Sequence, residues 1–526
     1  MKNKNIIYSI LAFIIITLIY GYFFLPALNF QSYNFLFYFI VLVSILIYIN
    51  IGIKNGKNFK STGKDSLKYT AWLIIIVIVL ALGALIFSPI FMSSKYAERI
   101  TVTNSNFTED IQEVDLNNLP LLDKESTSKV GDRVMGQIPE LISQFVVSEQ
   151  YTQINYNGRL VRTTPLEYNG FIKWFANYSS GTPGYIQVDS TTGEANLVQL
   201  DEGMKYMPSA YFFHNLARHL RIQYPTAIFS ESKFEIDDQG KPYWVTPVIK
   251  YTWVEMLEDV KGVVITDPVT GDSEYYDVDE VPTWVDHVYQ SSLVIDQLND
   301  WGEYQDGWFN SFLSQKNVRK TTTGYTYLAD SNDIFVYTGI TSALADESNI
   351  GFVLVNLRTK ETKYYSVPGA EEYSAMASAE GAIQEKSYIS TFPLLINLDD
   401  NPTYLVSLKD SAGLVKAYAF IDVNDYQKVK VTDSDKGLLE AANEYLTMLG
   451  TSSVSFTTGS ETSGNVTNIK QVVIDGNTYY YLLIDNDDTV YKANIDISDM
   501  LPFINLGDLL KFTAREDQIT AIISIN

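Results

Sequence analysis

The stretch Gly184–Val198, GYIQVDSTTGEANLV, predicts a β-hairpin, because two β-rich runs flank a polar turn that ends at Gly193. The same design returns over Gly262–Val278 as GVVITDPVTGDSEYYDV. Weaker copies follow at Gly351–Val367 and Tyr418–Val431. A design that returns along a chain indicates an architecture of repeats.

The turns of the four copies align position by position. The residues that begin the aligned turns are Asp189, Asp267, Asn356 and Asp422, and those that end them are Gly193, Gly271, Lys360 and Tyr426. Thr192 and Thr270 precede the two glycines. Glycine adopts positive φ at little cost. We therefore predict a tight turn or positive φ at Gly193 and Gly271.

Before each hairpin, apolar residues recur first at helical spacing and then in strand patterns, so a predicted helix and several predicted strands precede every hairpin. We therefore predict four α+β repeats, each with one helix over an antiparallel sheet. Their bounds are 132–205, 206–280, 281–368 and 369–432. In the first repeat the predicted helix lies within 134–142 and the predicted strands are 145–155, 159–167 and 171–178. In the third repeat a helix is predicted over 284–298.

The segments on either side of the repeats differ in character. Residues 94–131 are polar and interrupted, which predicts a stalk or linker. Within 433–464, a helix is predicted at Leu438–Leu449, and Gly450–Gly464 is a flexible link rich in Ser, Thr and Gly. Five strand patterns over 465–526 predict a small all-β barrel of OB-like type, with a sandwich as the alternative.

Three apolar runs open the chain, at Ile6–Leu25, Phe35–Ile53 and Ala71–Met92. Each is about 20 residues, the length that crosses a bilayer as a helix. We predict a bundle of three transmembrane helices within 1–93, in contact with lipid over residues 6–92. Two alternatives are a signal peptide for the first run and a buried core at the N-terminus.

Lysines predict the orientation of these spans. Two lysines precede the first run, none lies between the first two runs, and five lie in the link Lys54–Lys68. Positively charged loops stay on the cytoplasmic side. The sequence therefore predicts a multi-pass plasma-membrane protein with a cytoplasmic N-terminus and with residues 94–526 outside the cytoplasm.

The charge is asymmetric. Residues 1–93 hold seven lysines and one acid, which leaves 31 basic and 61 acidic residues in the remainder. Such a polyanion repels nucleic acid, so we expect no nucleic-acid partner. The chain has no cysteine, which excludes disulfides and thiol chemistry. Three histidines, His214, His219 and His287, leave little material for a metal site or a general base.

Motifs for catalysis are missing from the sequence. It contains no nucleophile elbow, zinc-protease helix or phosphate-binding loop, so we predict no catalytic residue and no cofactor. The acidic turns at Asp189 and Asp267 could bind Ca²⁺, but their spacing is not that of an EF-hand. The simpler interpretation is an Asp that caps its own backbone. A carboxylate pair for hydrolysis stays open.

An aromatic insertion, predicted from Trp301 to Phe312, is unique to the third repeat. Its candidate partner-binding residues are Trp301, Tyr304, Trp308 and Phe309. Aromatic clusters usually belong to a core, but acidic neighbours such as Glu303 and Asp306 also suit an anchor for a protein partner. Both interpretations are open from sequence.

The order of helix, strands and a D-x-x-T-G hairpin resembles the PepSY domain. The residues that carry the resemblance are Asp189, Thr192 and Gly193, then Asp267, Thr270 and Gly271. The third and fourth copies keep the β pattern but lose the glycine. The resemblance implies a bacterial, extracytoplasmic and non-catalytic module that binds or restrains another protein.

Topology and resemblance together predict a membrane-anchored scaffold in the cell envelope of a Gram-positive bacterium. Its partner would be an envelope protein, such as a cell-wall enzyme or a protease. A carboxylate-dependent hydrolase that acts on the cell wall is one alternative. A subunit of a membrane transport complex is the other, and it is weakened because no charged residue interrupts the three runs.

Overall fold

A computed structural model describes residues 2–525 except 56–58, 112–115, 117–118, 331–332, 344, 451–459, 475–476, 486, 488, 499 and 516. The chain is α+β and divides into two compact units, Met1–Ala442 and Asn443–Asn526. The first contains four open sheets and the second a closed barrel.

Helices open the first unit. They are α1 (Lys2–Phe24), α2 (Tyr33–Asn55), α3 (Phe59–Ile86) and α4 (Pro89–Ala97). The first three cover most of the predicted apolar runs, and α2 packs against both α1 and α3. Among the described residues, no helix taken singly has the length and apolar character needed to cross a membrane. The pair Thr70–Ile86 and Pro89–Ala97 meets that test together, with a bend of 48°.

The predicted stalk, 94–131, is partly built into the folded unit. It contains β1 (Val102–Ser105), α5 (Phe107–Asp110) and the start of α6 (Lys124–Gly136). Strand β1 pairs in parallel with the third sheet, where Val102 lies opposite Thr362. Leu122 donates its backbone N–H to the carbonyl of Ser190, so this segment also contacts the first hairpin turn.

The first repeat continues from α6 and is followed by the second. The remaining elements of the first are α7 (Pro139–Ile142), β2 (Phe145–Val147), β3 (Thr152–Tyr156), β4 (Arg159–Tyr168), α8 (Phe171–Asn177), β5 (Thr182–Asp189) and β6 (Ala195–Met204). Those of the second are α9 (Leu216–Gln223), β7 (Ile228–Phe229), β8 (Lys233–Ile236), β9 (Pro242–Lys250), β10 (Asp259–Thr266) and β11 (Ser273–Asp277).

The third and fourth repeats follow the same plan. The third contains α10 (Ser291–Tyr304), β12 (Arg319–Thr321), β13 (Thr326–Asp330), β14 (Asp333–Ser342), β15 (Ala345–Asn356), β16 (Thr362–Tyr365) and β17 (Gly369–Ala370). The fourth contains α11 (Glu372–Ala382), β18 (Ile389–Ser390), β19 (Leu394–Leu398), β20 (Asn401–Lys409), β21 (Val415–Asp422) and β22 (Val429–Asp433).

One strand order recurs in all four sheets. The orders are β2-β4-β5-β6, β7-β9-β10-β11, β12-β14-β15-β16 and β18-β20-β21-β22. In each sheet one further short strand also pairs with the second strand of the order given above. These additional strands are β3, β8, β13 and β19. The hairpins quoted from the sequence form the last two strands of each of these orders, and in the third sheet β1 pairs beyond them with β16.

Neighbouring repeats share their apolar cores. Ile186 of the first sheet and Phe234 of the second are both fully buried in one cluster. Val263 of the second sheet and Val353 of the third lie in another. Burying such side chains contributes roughly 1.5–3 kcal/mol each. A third cluster contains Phe352 of the third sheet and Tyr404 of the fourth, so all four repeats share continuous cores.

The second unit is an all-β barrel. The helix α12 (Leu438–Leu449), which confirms the predicted one, leads to it across the unit boundary. The strands are β23 (Ser460–Ile474), β24 (Asn477–Ile484), β25 (Tyr491–Asn494), β26 (Leu509–Arg515) and β27 (Gln518–Ile525). They close in the order β23-β24-β25-β27-β26, and β25 pairs with β27 in parallel.

Part of the predicted link to the barrel is a strand. Residues 451–459 lie outside the described residues. Ser460 to Gly464 belong to β23, because they pair with β26 from Ala514 to Leu510. The polar composition suggested a link, but alternate side chains of a barrel strand face solvent and tolerate Ser and Thr.

Four predicted elements in the repeats were wrong. The strand predicted at 145–155 is two strands, β2 and β3, separated by residues 148–151. The helix predicted within 134–142 is interrupted, because α6 ends at Gly136 and Pro139 starts a new turn. Residues 171–178, predicted as a strand, form α8; their aromatic residues recur at helical spacing. The third helix begins at Ser291 and not at 284.

Candidate functional site

The hairpin turns of the first two repeats have the same hydrogen bonds. The carboxylate of Asp189 accepts from the backbone N–H groups of Thr191 and Thr192, at 2.8 Å each. Asp267 accepts in the same way from Val269 and Thr270 at 2.8 and 3.2 Å. Gly193 and Gly271 have φ of 76° and 83°. The predicted left-handed glycines are therefore present.

The third turn keeps this geometry without glycine, whereas the fourth keeps only the side-chain hydrogen bonds, in which Asp422 accepts from Asn424 and Asp425 at 2.8 and 3.1 Å. Asn356 accepts from Arg358 and Thr359, and Lys360 has φ of 66°. In the fourth turn Asp422 pairs with Lys428, one residue later than in the other copies. The alignment of Tyr426 with Gly193 was therefore wrong, because the fourth loop is one residue longer.

The acids of these turns are engaged by the protein itself. The second carboxylate oxygen of Asp267 binds Lys241 at 2.8 Å. Burial alone would raise the pKa of Asp267, but the Lys241 hydrogen bond and the two backbone donors together lower it. Among the described side chains, no group of three or more His, Asp or Glu residues is placed to hold a metal ion.

The predicted aromatic insertion separates into two parts. Trp301 and Tyr304 belong to α10, and Trp301 is only 9% exposed, so it lies in the core. Gly307, with φ of 84°, then turns the chain. Trp308 is half-buried and stacks on the ring of Phe312 at 6.1 Å. Phe309 is 68% exposed.

A buried acidic cluster lies where three repeats meet. Glu235 of β8 accepts from the backbone N–H groups of Asp286 and His287, at 2.8 and 3.1 Å. Asp286 accepts from the N–H of Asn155 at 2.7 Å, and His287 Nε2 lies 2.7 Å from the carbonyl oxygen of Gln153. Hydrogen bonds through these side chains thus connect the first three repeats.

Burial controls the ionisation of this cluster. It raises the pKa of Glu235 to about 7 and lowers that of His287 to about 4. Burial and then the charge of Glu235 raise the pKa of Asp286. All three side chains are at most 4% exposed, so they are positioned to join repeats and are shielded from a polymer substrate.

The second repeat also holds the ends of the long helices, through a group of residues that we call the helix-docking site. Its members in this repeat are Arg218, Arg221, Trp253 and Glu255. Arg218 donates to the carbonyl of Tyr22 at 3.4 Å, and Arg221 donates to the carbonyl of Leu25 at 3.0 Å. Both arginines therefore bind carbonyls at the C-terminal end of α1.

Glu255 binds the N-terminal end of the next helix, α2. Its carboxylate accepts from the backbone N–H of Tyr33, the first residue of α2, at 2.9 Å. Its own N–H donates to the carbonyl of Gln31 at 3.1 Å. Cations at a helix C-terminus and an anion at an N-terminus both complement the helix dipole. The charged side chains of the docking site are therefore opposite in sign to the partial charges of the helix ends that they bind.

Trp253 makes the contact with α3. Its ring stacks on Phe87 with 5.2 Å between ring centroids and an angle of 7°. The ring lies directly on Gly83, where a Cβ would overlap it. Sequence reasoning missed this site, since its contacts join residues about 170–220 positions apart. The one available signal was the pair of basic residues on α9.

No protein-family model matches the chain, and a search of curated proteins finds no significant match. The resemblance to the PepSY domain therefore stays a prediction that rests on the hairpin residues Asp189, Thr192, Gly193, Asp267, Thr270 and Gly271.

Proposed function

We propose that this chain is a membrane-anchored, extracytoplasmic protein that binds another envelope protein and has no catalytic role of its own. The observation that carries the proposal is the position of the helix-docking site. The folded repeats contact the C-terminal end of α1, the N-terminal end of α2 and the C-terminal end of α3. The five lysines of the predicted link 54–68 lie at the opposite ends of α2 and α3, since Lys54 belongs to α2 and Lys60, Lys64 and Lys68 belong to α3.

That arrangement supports the predicted orientation. If α1–α3 cross the plasma membrane with the lysine-rich link in the cytoplasm, the docking site and all four repeats lie outside it. The loop 25–32 contributes further hydrogen bonds: Asn29 donates to Thr226, and Gln31 donates to Tyr251. The repeats are thus fixed to the bundle by many contacts, as a platform at a set distance from the bilayer.

Four similar sheets and a barrel offer extended surface to a protein partner. The PepSY resemblance suggests that the partner is a cell-wall enzyme or a protease, and Trp308 and Phe309 stay candidate contacts. We assign the barrel to the OB-like class because it is a closed five-stranded barrel.

The hydrolase alternative receives little support from the cavities. A concavity of about 450 Å³ beside β1 is lined by Asn104, Ser105, Asn106, Phe107, Thr108, Ser366, Val367 and Pro402, so no acid lines it. Glu258 and Asp296 line a cavity of about 80 Å³. Ligand pockets usually measure roughly 300–1,000 Å³.

Cysteine accessibility tests the orientation, because the natural chain has no cysteine. We expect a membrane-impermeant maleimide to label Asp238→Cys, at an exposed turn of the second repeat, in intact cells. Ser61→Cys, at the lysine-rich end of α3, should react only after permeabilisation. The reverse pattern would contradict the proposal. Crosslinking of the full chain in its native membrane would then identify the partner.

A further inference from the structure

Two groups of exposed apolar side chains flank the helix-docking site. The first group lies on α8 and on the 3-10 turn Phe212–His214, and its members are Phe171, Ile172, Phe175, Phe212 and Phe213. The second group follows α10, and its members are Phe309, Phe312 and Leu313. Ile172 is 78% exposed and Phe312 is 71% exposed. We call these two groups the ring segments.

The first ring segment is joined to the end of α1. Arg218 donates to the carbonyl of Phe212 at 2.6 Å and also to that of Tyr22, while its guanidinium lies 4.1 Å from the centre of the Tyr22 ring. Phe171 packs edge-on against Tyr211 at 5.1 Å. One arginine thus spans from the ring segment to the helix end.

The second ring segment lies beside the end of α3. The ring of Tyr304 is 6.1 Å from that of Tyr96, and the Tyr96 hydroxyl donates to the carbonyl of Phe87 at 3.0 Å. Gly307 donates to Tyr304 and begins the turn that carries the exposed rings. The first ring segment is therefore linked to the C-terminal end of α1 through Arg218. The second is linked to the C-terminal end of α3 through Tyr304 and Tyr96.

Charge separates these segments from the rest of the outer region. Residues 168–188, 203–230 and 307–329 contain no Asp or Glu, although the outer region as a whole has about twice as many acids as bases. The bases within these three stretches are Lys173, Lys205, Arg218, Arg221, Lys316, Arg319 and Lys320. Of these, Lys173 lies within the first ring segment and Lys316 follows the second by three residues, and basic side chains beside exposed aromatic rings suit an anionic lipid surface.

We propose that the two ring segments enter the headgroup region of the bilayer beside α1 and α3, and so hold the repeats against the membrane. Lipid fits better than a protein partner, because both segments are linked to the apolar helices and contain no acid themselves; Asp306, which precedes the second, accepts a hydrogen bond from Asn317. Phe and Leu side chains on the apolar face of interfacial segments bury at the boundary between headgroups and acyl chains. The inference rests on the proposed membrane anchoring, and it adds a second point of attachment on each side of the helices.

Depth-dependent quenching tests this contact in the full chain. The chain would be reconstituted in vesicles of phosphatidylcholine and phosphatidylglycerol that contain a lipid with a nitroxide, shallow in one sample to read the ring segments and deep in a second sample to read the helix. An environment-sensitive probe would be attached at Phe213→Cys or Phe309→Cys. Ile389→Cys, an exposed apolar position in the fourth repeat, is the matched control, since Ile389 is 61% exposed. Ile78→Cys, within α3, reports on the anchoring itself.

We expect quenching at Phe213→Cys and Phe309→Cys to exceed that at Ile389→Cys by about twofold or more. If both match the control while Ile78→Cys is quenched, the ring contact is wrong and the anchoring stands. If Ile78→Cys is not quenched, the anchoring fails as well. Probes at 213 and 309 that are shielded from aqueous iodide but not quenched by lipid would identify a protein contact and overturn the proposal.

Discussion

Within the aromatic segment from Trp301 to Leu313, the first residues and the last have opposite surroundings. Trp301 lies in the core, where the guanidinium of Arg319 is 5.6 Å from its ring. Phe309, eight residues later, is 68% exposed. The difference follows from the end of α10 at Tyr304, since helical periodicity decides which side chains face inwards only as far as the helix continues. Aromatic composition alone does not distinguish a core from a contact surface.

The hairpin turns show the same contrast between a packed copy and an open copy. A Cβ at Gly271 would lie 2.5 Å from the ring of Tyr206, and His219 Nε2 lies 2.6 Å from the Gly271 carbonyl oxygen. A Cβ at Gly193 would approach only the side chain of Leu122, at 3.2 Å. One sequence motif thus serves as a packed joint in the second repeat and as a more open turn in the first.

The largest effect is expected at Trp301. Trp301→Ala should lower the free energy of unfolding by about 3–5 kcal/mol, because it leaves a cavity in the shared core. Phe309→Ala should change it by less than about 0.5 kcal/mol. Thermal and denaturant unfolding of the full chain in lipid nanodiscs would measure both. Equal losses for the two variants would erase the distinction between the packed and exposed halves.

Alanine at the two turn glycines compares the packed copy with the open one. Both substitutions force positive φ on alanine, which costs roughly 1 kcal/mol. Gly271→Ala should lose about 2 kcal/mol in total, since the new methyl group also meets Tyr206. Unfolding midpoints would measure the two losses. Tyr206→Ala combined with Gly271→Ala should recover part of the excess; a larger loss for Gly193→Ala would contradict the comparison.

The buried acids predict a pH dependence inside the packed region. The pKa of Glu235 is raised from 4.5 to about 7, and that of Asp286 is also raised. Folded protein therefore binds protons that the unfolded chain releases. For Glu235 the stabilising contribution is fully present below about pH 4.5 and is lost as the pH rises through about 7, a change of about 3 kcal/mol. The lowered pKa of His287, about 4, acts in the opposite direction up to about pH 6.5.

Asp286→Asn is the matched variant for this effect. Its amide oxygen can still accept from Asn155, and it removes the like charge beside Glu235. His287 is present in both proteins and its effect is common to both, so we expect the melting temperature of the natural chain, relative to that of Asp286→Asn, to fall as the pH rises from 5 to about 7.5. An unchanged slope would show that these carboxyls do not control the stability.

The smallest effect on stability is expected from Trp308→Ala combined with Phe309→Ala. These rings contribute little to the core, so the melting temperature should change less than capture of the envelope partner does. Quantitative crosslinking in native membranes would measure the capture. A large drop in melting temperature would instead place both rings in the packed half.

Much of the repeat fold could be predicted from the sequence, because strand alternation and turn residues are local signals. The turn geometry at Gly193 and Gly271, the helix Leu438–Leu449 and the barrel strands follow from such signals. The predicted strand at 171–178 was wrong because aromatic residues favour strands, while their helical spacing was overlooked. The fourth turn differs by a single added residue, which no propensity reveals.

The helix-docking site and the Glu235 cluster depend on long-range contacts. Trp253 reaches Gly83 across 170 positions, and Glu235 reaches Asp286 across 51. Neither residue belongs to a periodic pattern or a known motif. Their roles appear only when the fold brings repeats and helices together, so a single sequence without the fold gives no access to them.

The contact between Trp253 and Gly83 has a mechanical consequence. A flat ring that rests on bare backbone fits one angular position of α3, because every neighbouring position along the helix carries a side chain. Moving α3 by one residue means a rotation of about 100° and an advance of about 1.5 Å. Such a movement would place a side chain under the Trp253 ring and break its contact with Gly83. Rotation of α3 about its axis or translation along it would therefore displace Trp253 and the second repeat to which it belongs.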